Sequence, residues 1–479
     1  MLSSYWSITL RNKPLLPAAK VPTGAQSLIQ TDTVVAISTP RGAGGIGVVR
    51  LSGSEALSIG RRIFRSQPPL GERIRYVEYG RVWVDGRAID TGVAWTFAAP
   101  HSYTGEDIVE ISCHGSMVVL ESVVEEALKL GASSARPGEF TRRAYLNGRL
   151  DLLEAEAVID LIQASSKASL DNAYGLAGGR LSGMVRKLKK QIVKALSLIE
   201  IGLDFSEDDI GGIGRQDIRA EVCGVVKSSQ RLADTFEGTK RRQEGYFVAL
   251  IGRSNVGKST LLNVLLGEDR AIVTPIPGTT RDMVEGKTVW SGETIRLVDT
   301  AGIRQSDDPI EREGIGRASR AMDEADVVLA MFDSSAEWCD DDRVVLDQLP
   351  DEKSIAVFNK VDLPRVLDRS KIESRLLPSV DISALTEFGL DDLKRESAAR
   401  IPQRMEIDSI GITRQRHQDC LLQVARSGTI ASKLLKDGQP DECVVVELQT
   451  ALNALGEMLG ESTDEDMLDA IFSEFCIGK

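Results

Sequence analysis

The chain is poor in side chains that bind transition metals, with three histidines (His101, His114 and His417) and six cysteines in 479 residues. The cysteines stand at 113, 223, 339, 420, 443 and 476, and no two have CxxC spacing. That pattern argues against a Cys/His zinc site, and scattered thiols in a long chain point to a reducing compartment. No apolar run approaches the ~18 residues a transmembrane helix needs, so no membrane span is expected. Residues 1–31 contain no aspartate or glutamate, but do carry Arg11, Lys13 and Lys20. They lack the continuous apolar stretch of a secretory signal and the clear arginine-rich amphipathic helix of an organellar transit peptide. A disordered extension or an upstream start is therefore preferred to a targeting segment. A bacterial cytoplasmic location is preferred to a mitochondrial or plastid matrix.

What is present fits a multidomain globular chain. The length exceeds one core and calls for about two to four domains. Hydrophobic residues make up 42% and charged residues 27%, and the net charge is −13. That charge argues against non-specific coating of nucleic acid but is compatible with a local basic patch. From Asp32 to Gly148, glycines and short β-like runs (Val34–Ile37, 46–51, 108–111) read as an α+β domain. From Leu150 the period changes to helical. Leu150, Leu153, Ala157, Val158, Leu161 and Ile162 share one face, with Glu154, Glu156 and Asp160 off it. A basic stretch follows at Arg186, Lys187, Lys189, Lys190 and Lys194. Near Glu244 short, wholly apolar runs (247–251, 327–332, 355–358) alternate with helix-like segments. Strands buried on both faces look like this, which predicts a parallel sheet with helices on both sides. After Pro402 the pattern is helical again. The expected organisation is an extension (1–31), an α+β domain (32–148), a helical domain in two parts (149–243 and 403–479) and an α/β domain (244–402) inserted between them.

The inserted domain carries the chemistry. Gly252-Arg-Ser-Asn-Val-Gly-Lys258-Ser259 fits GxxxxGK[ST] between an apolar strand and the helical run Thr260–Leu266. Glycines let backbone N–H groups close around phosphate oxygens, and the next helix aims its positive end at them. Lys258 would reach the β/γ-phosphates and Ser259 would ligate Mg²⁺. Asp299-Thr300-Ala301-Gly302 follows the run 295–298. Its carboxylate can hold Mg²⁺ through water, and the Gly302 N–H can sense the γ-phosphate. Thr280, in Gly278-Thr279-Thr280-Arg281-Asp282, lies where a threonine closes over the metal. Asn359-Lys360-Val361-Asp362 chooses the base, because a carboxylate accepts two hydrogen bonds from guanine N1–H and its 2-amino group. Ser383-Ala384-Leu385 follows at a distance suited to backing the base. Five ordered elements imply a GTP-binding hydrolase.

The means of cutting the γ-phosphate is less direct. In small signalling GTPases a glutamine just after this DTAG run orients the water. Here Ile303 stands there and cannot do so. Glu311, in Asp307-Asp-Pro-Ile-Glu-Arg312, is the candidate, with a solvated acidic face as the other reading. Arg304 and Arg312 are near, but neither is singled out as an arginine finger. A monovalent cation with Asn255 as an oxygen ligand is a second source of positive charge.

These loops, together with Thr39-Pro-Arg-Gly-Ala-Gly-Gly-Ile-Gly47, Tyr103-Thr-Gly-Glu-Asp107, Ala135-Arg-Pro-Gly-Glu-Phe140, Leu150-Asp-Leu-Leu-Glu-Ala-Glu-Ala157 and Cys476-Ile-Gly-Lys479, carry a family resemblance. From Asp32 to Lys479 the chain resembles the MnmE (TrmE) family of tRNA-modifying GTPases. The resemblance implies a homodimer working with an FAD-dependent MnmG-family subunit as a heterotetramer. Such complexes add a carboxymethylaminomethyl-type group to C5 of the wobble uridine of certain tRNAs. It also implies potassium-stimulated hydrolysis with the G domains meeting across the dimer. The potassium ligands would be Asn255, Thr274, Ile276 (by its backbone oxygen) and Thr279; magnesium would sit on Ser259 and Thr280. It makes Glu311 the catalytic acid. Candidate GTP contacts then cover Asn255, Val256, Gly257, Lys258, Ser259 and Thr260, and Thr274, Pro275, Ile276, Pro277, Gly278, Thr279 and Thr280. They continue through Asp299 to Gly302, Asn359 to Asp362, and Ser383 to Leu385. An N-terminal folate-binding-like domain would take 5-formyltetrahydrofolate, or a related one-carbon tetrahydrofolate, on Arg50, Glu110, Arg149 and Lys479. Arg149 replaces a lysine found in some members, and the two cations differ in geometry. Cys476 is a thiol near that site.

Two other patterns lead elsewhere. Gly42-Ala-Gly-Gly-Ile-Gly47 fits GxGxxG, but the following Val48-Val-Arg-Leu51 reads as strand, not helix, and no acid stands near position 67, so a dinucleotide site fails on context. The basic stretch at 186–194 could meet tRNA phosphate, but reads more simply as a solvated face. A ribosome-assembly or RNA-binding regulatory GTPase is the alternative function; the folate-like N-terminal region and the Cys-Ile-Gly-Lys end favour the modification enzyme.

Overall fold

The computed structural model describes residues 32–73, 76–204, 215–267, 284–299, 320–401, 410–462 and 464–479. They form two compact units. One contains the chain through Ile159 with 174–233 and 416–479; the other contains 160–173 and 234–415.

The first unit begins with a sheet of seven strands: β1 (Val34–Ile37), β2 (Gly44–Ser52), β3 (Phe64–Ser66), β4 (Val77–Val84), β5 (Arg87–Phe97), β6 (Ile108–Gly115) and β7 (Ser133–Ser134). Their order is β3-β4-β5-β6-β2-β1-β7, with only β1 and β7 parallel. The glycine-rich run at 42–47 enters β2 directly, as the β-branched Val48-Val49 predicts. Helices α1 (Ala56–Ile63) and α2 (Met117–Lys129) cover one face, burying Ile59, Ile63, Leu120 and Val123 against Val49, Leu51, Val109 and Ile111. On the other face α3 (Glu139–Leu146) seats Phe140 against Val34 and Ala36.

Helices follow as expected: α4 (Leu152–Gln163), α5 (Lys167–Ala177), α6 (Arg180–Asp204), α7 (Arg215–Ala233) and α8 (Phe236–Glu244). The acids of α4, off the apolar face read from the period, are nevertheless buried. Glu154, Glu156 and Asp160 are only 1%, 2% and 4% exposed, whereas Ile162 is 47% exposed. A buried carboxylate survives only when hydrogen-bonded, and each of these has partners. Asp151 and Glu154 form a reciprocal cap at the helix start, N–H to carboxylate in both directions (3.1 and 2.9 Å). Glu156 accepts from Arg416 at 3.0 Å and lies 2.7 Å from His417 Nε2. On α6 the basic stretch is partly neutralised, with Arg186 paired to Asp151, Lys189 to Glu461 and Lys194 to Glu221. Lys187 and Lys190 are exposed, which fits a solvated face.

The second unit holds a six-stranded sheet: β8 (Tyr246–Ile251), β9 (Val284–Trp290), β10 (Glu293–Asp299), β11 (Val327–Asp333), β12 (Ser354–Asn359) and β13 (Ser379–Asp381). The order is β13-β12-β11-β8-β10-β9. It is parallel except for β9, an antiparallel edge strand hairpinned to β10. One face is covered by α9 (Lys258–Gly267) and α12 (Leu390–Arg400), through Leu261, Leu262, Leu265 and Leu393; the other is covered by α10 (Asp340–Gln348) and α11 (Ser370–Glu373), through Val345, Leu346 and Ile372. Both faces are thus dry, which is why β8, β11 and β12 are apolar at every interior position. Helices α13 (Gln415–Lys436), α14 (Asp441–Leu459) and α15 (Glu465–Ser473) end the chain. Leu468 and Phe472 of α15 pack on Leu152, Ala155 and Ile159 of α4.

Candidate functional site

The phosphate loop joins β8 to α9 at the carboxyl end of the parallel strands, where open α/β sheets bind ligands. Gly257 has φ +102°, and a Cβ there would lie 2.3 Å from Asn359 Nδ2, so both conformation and space require glycine. Lys258 is buried, and its ammonium donates to the Gly252 and Arg253 carbonyls at 2.7 and 2.8 Å. Burial holds its pKa below the usual lysine value, and Asp299 offsets part of that. Next to it, Ser259 Oγ donates to Asp299 Oδ2 at 2.7 Å. The other carboxylate oxygen, Asp299 Oδ1, is buried and has no hydrogen-bond partner among the described residues. A hydroxyl oxygen beside a carboxylate with an uncommitted oxygen is a donor set for a hard divalent cation. Ser259 and Asp299 are the described residues that could hold Mg²⁺ here.

The loop at 359–362 is tied to the phosphate loop. Asn359 is 2% exposed. Its Nδ2 donates to Val256 O at 2.8 Å, and its Oδ1 accepts from Ala384 N at 3.0 Å. One side chain therefore ties together the phosphate loop, the end of β12 and the Ser383–Leu385 loop. Lys360, at φ +64°, donates to Asn255 O at 2.9 Å and to Asp333 at 2.6 Å. Asp333 also accepts from the Ser335 backbone and hydroxyl. Val361 N–H donates to Ile382 O, Ser383 N–H to Phe388 O, and Ser383 Oγ accepts from Thr386 N–H. Asp362 and Leu385 are exposed, as are Asn255 and Thr260. Asn255 holds φ +63°, a left-handed conformation that asparagine tolerates better than most residues. The expected positions 274–280, 300–302 and 311 lie outside the described residues.

A second cluster lies in the first unit. Arg50 on β2 faces Glu110 on β6, with Nε to Oε1 at 2.7 Å, and Trp95 Nε1 donates to the other oxygen at 2.6 Å. The Arg50 guanidinium lies over the rings of Tyr103 and Phe140 at 5.7 and 5.4 Å. The chain end folds onto this group. Ile477 bridges Pro137, Ser38 Oγ donates to Gly478 O at 3.2 Å, and Phe140 N–H donates to Lys479 O at 3.2 Å. Burial lowers the Lys479 pKa and Arg50 lowers it further, against the pull of Glu110. Arg50, Glu110 and Lys479 are thus brought together across the length of the chain. Arg149 packs against Gly105, which has φ +83°. Its Nε is buried and has no hydrogen-bond partner among the described residues, and burial lowers its pKa.

The sequence profile of the GTP-binding protein TrmE N-terminus matches residues 33–149, and that of the MnmE helical domain matches 152–476. The tRNA modification GTPase MnmE of Geobacter sulfurreducens is 42% identical over 453 residues, covering 94% of this chain and 99% of that protein. The MnmE of Chloroflexus aurantiacus is 42% identical over 454 residues, and that of Symbiobacterium thermophilum 40% over 457; each covers 94% of this chain. The chain belongs to the MnmE family.

As an MnmE-family member it is a GTP hydrolase of tRNA modification, with a P-loop site for GTP and Mg²⁺. Several neighbours of the two clusters escape sequence reading. Asp333, which anchors Lys360, is one acid at a strand end in an acidic chain. Trp95, which grips Glu110, is one aromatic on a long strand. Thr141, bonded to Tyr103 at 2.9 Å, is one hydroxyl in a helix. Each acquires its role only from a partner on another strand or helix. The available signal was strand parity: Trp95 stands directly opposite Glu110. Among the described residues no helix is long and apolar enough to cross a membrane.

Proposed function

We propose that this chain is the GTP-hydrolysing subunit of a complex that installs a carboxymethylaminomethyl-type group on C5 of the wobble uridine of certain tRNAs. It would act as a homodimer with an FAD-dependent MnmG-family partner. The observation that carries the nucleotide half is the Asn359 tie, because it holds the phosphate-binding and base-binding loops at fixed separation, as a single nucleotide requires. Asp362 would accept guanine N1–H and its 2-amino group. Lys258 would share its ammonium between loop carbonyls and the β/γ-phosphates. Asn255, with Thr274, Ile276 and Thr279, would hold K⁺, and Thr280 would join Ser259 on Mg²⁺. Glu311 would orient the attacking water.

The modification half is supported by the second cluster. Two cations (Arg50 and Lys479) lie by one acid (Glu110), which also accepts from an indole donor, and the Arg149 guanidinium has a buried nitrogen with no hydrogen-bond partner among the described residues. That donor-rich, aromatic-walled set suits an anionic reduced pterin–glutamate such as 5-formyltetrahydrofolate, which carries a one-carbon unit. Self-association is supported by apolar side chains on β2 and β4 that face outward: Ile46, Val77 and Tyr79 are 69%, 61% and 71% exposed. The proposed domain division is 32–148, 149–243 with 403–479, and 244–402, with 1–31 as an extension.

The test is GTP hydrolysis by the full chain in potassium and in sodium, with and without the FAD-dependent partner, alongside nucleoside analysis of tRNA from cells lacking the gene. The expected result is faster turnover in potassium and loss of one wobble nucleoside. Equal rates in both salts reject the cation role, and an unchanged nucleoside profile rejects the modification role.

A further inference from the structure

The acids of the Leu150–Ala157 motif and the following turn serve neither the GTP site nor the Arg50 cluster, yet they are buried. Asp160 is the informative one. It is 4% exposed, and its donors come from two separate passages of the chain. Gln243 Nε2 donates to Oδ1 at 2.6 Å, and Thr413 Oγ1 donates to Oδ2 at 2.9 Å. The Arg414 guanidinium lies 3.7 Å from Oδ1. Gln243 closes α8, which runs straight into β8 and so into the phosphate loop. Thr413 and Arg414 belong to the passage that leads back from the inserted domain.

The two passages are matched in detail around this carboxylate. Asn172 pairs with Gly411 in both directions, at 3.1 and 3.0 Å. Thr235, at the start of α8, accepts from Ile412 N–H at 3.2 Å. Gly411 approaches α8 so closely that a Cβ would meet Thr239 Oγ1 at 1.9 Å. The outgoing helix and the returning strand of chain are thus held in one arrangement. A charge buried this deeply is a poor source of net stability compared with an apolar side chain. Its distinctive property is directional: the two oxygens fix two passages relative to one another.

We propose that Asp160 is a positioning residue that transmits rearrangement of the nucleotide loops to the rest of the chain, coupling GTP hydrolysis to tRNA modification. Displacement of β8 carries α8 with it because Gly245 alone separates them. The Asp160 tie passes that displacement to residues 411–414 and to α4. Without the tie, the nucleotide site still turns over, but its motion is not delivered.

The test uses the full chain carrying Asp160→Asn, which keeps the shape but removes the charge. Hydrolysis is measured on purified protein and folding by thermal melting. Coupling is read as the tRNA nucleoside that disappears when the gene is deleted and returns with the wild-type copy, at matched protein levels. The expected result is wild-type GTP turnover with that nucleoside reduced about fivefold, within the range of coupling changes caused by residues that touch neither ligand. A merely structural role would lower hydrolysis, melting temperature and nucleoside together, and that result overturns the proposal, as does full restoration of the nucleoside. Should Asp160→Asn fail to accumulate, Thr413→Val removes one donor without leaving a charge unpaired and is judged by the same two outcomes.

Discussion

Replacing Asn359 with alanine should damage nucleotide binding far more than it damages the fold. Asn359 has two partners: Val256 O, accepting at 2.8 Å, and Ala384 N–H, donating at 3.0 Å. Val256 and Ala384 are 0% and 3% exposed, so both backbone groups would be left with little access to water. An unsatisfied buried group costs about 1–3 kcal/mol. Taking about 1 kcal/mol for each gives about 2 kcal/mol of lost loop order, or about a 30-fold rise in Kd. The fold should survive because β8, β11 and β12 keep their buried cores, which the substitution does not touch. Fluorescence titration with a labelled guanine nucleotide, paired with a thermal melt, reads both quantities. Gly257→Ala should weaken binding by another route, since its Cβ would collide with Asn359 Nδ2 at 2.3 Å. Much of that clash is absent once Asn359 is alanine, so the double variant should bind better than the sum of the two losses predicts. A Kd for Asn359→Ala close to wild type, or strict additivity with Gly257→Ala, would refute the view that one amide holds the two loops in register.

Three further outcomes follow from other parts of the molecule. Gly478→Ala places a Cβ 2.2 Å from Ile37 O at φ +98°, so the terminal segment should undock; binding of 5-formyltetrahydrofolate by calorimetry should weaken at least about tenfold while GTP hydrolysis is retained. Burial works to raise the Asp333 pKa, but hydrogen bonds from Lys360 and Ser335 outweigh it and hold the carboxyl below its usual value. A carboxyl lowered in the folded state contributes stability above its unfolded pKa and loses it as pH falls through the folded one; melting temperatures of Asp333→Asn should therefore lie below wild type at neutral pH and converge with it below about pH 4. Burial pushes the Cys113 and Cys420 thiols up to about 11, Asp90 adding to the first and Glu457 to the second, so at pH 8 mass spectrometry should find iodoacetamide on the exposed Cys443 and Cys476 well before either buried thiol.

The phosphate loop was legible because its parts are local. A phosphate loop needs a strand, a glycine turn and a helix start within about a dozen residues, and each leaves its mark in consecutive letters. The same holds for the strands: 247–251, 327–332 and 355–358 stand within a residue or so of their observed bounds, because burial on both faces permits only apolar side chains. The antiparallel edge β9 was missed. A hairpin partner on a sheet edge need not be apolar throughout, and Val284–Trp290 includes Glu285 and Lys287.

The burial of the α4 acids was not legible, for the opposite reason. Helical periodicity sorts residues by polarity and assigns charge to water, but a carboxylate is equally at home where enough donors converge. For Glu156 those donors are Arg416 and His417, 260 and 261 residues away; for Asp160 they are Gln243 and Thr413, 83 and 253 residues away. No local window contains that information. Loops that bind nucleotide answer to the nucleotide and can be written in a few adjacent residues. Ties such as those of Glu156 and Asp160 answer to distant parts of the same chain. An acid repeatedly placed on an otherwise apolar helix is therefore better read as a question about missing partners than as a charge left to water.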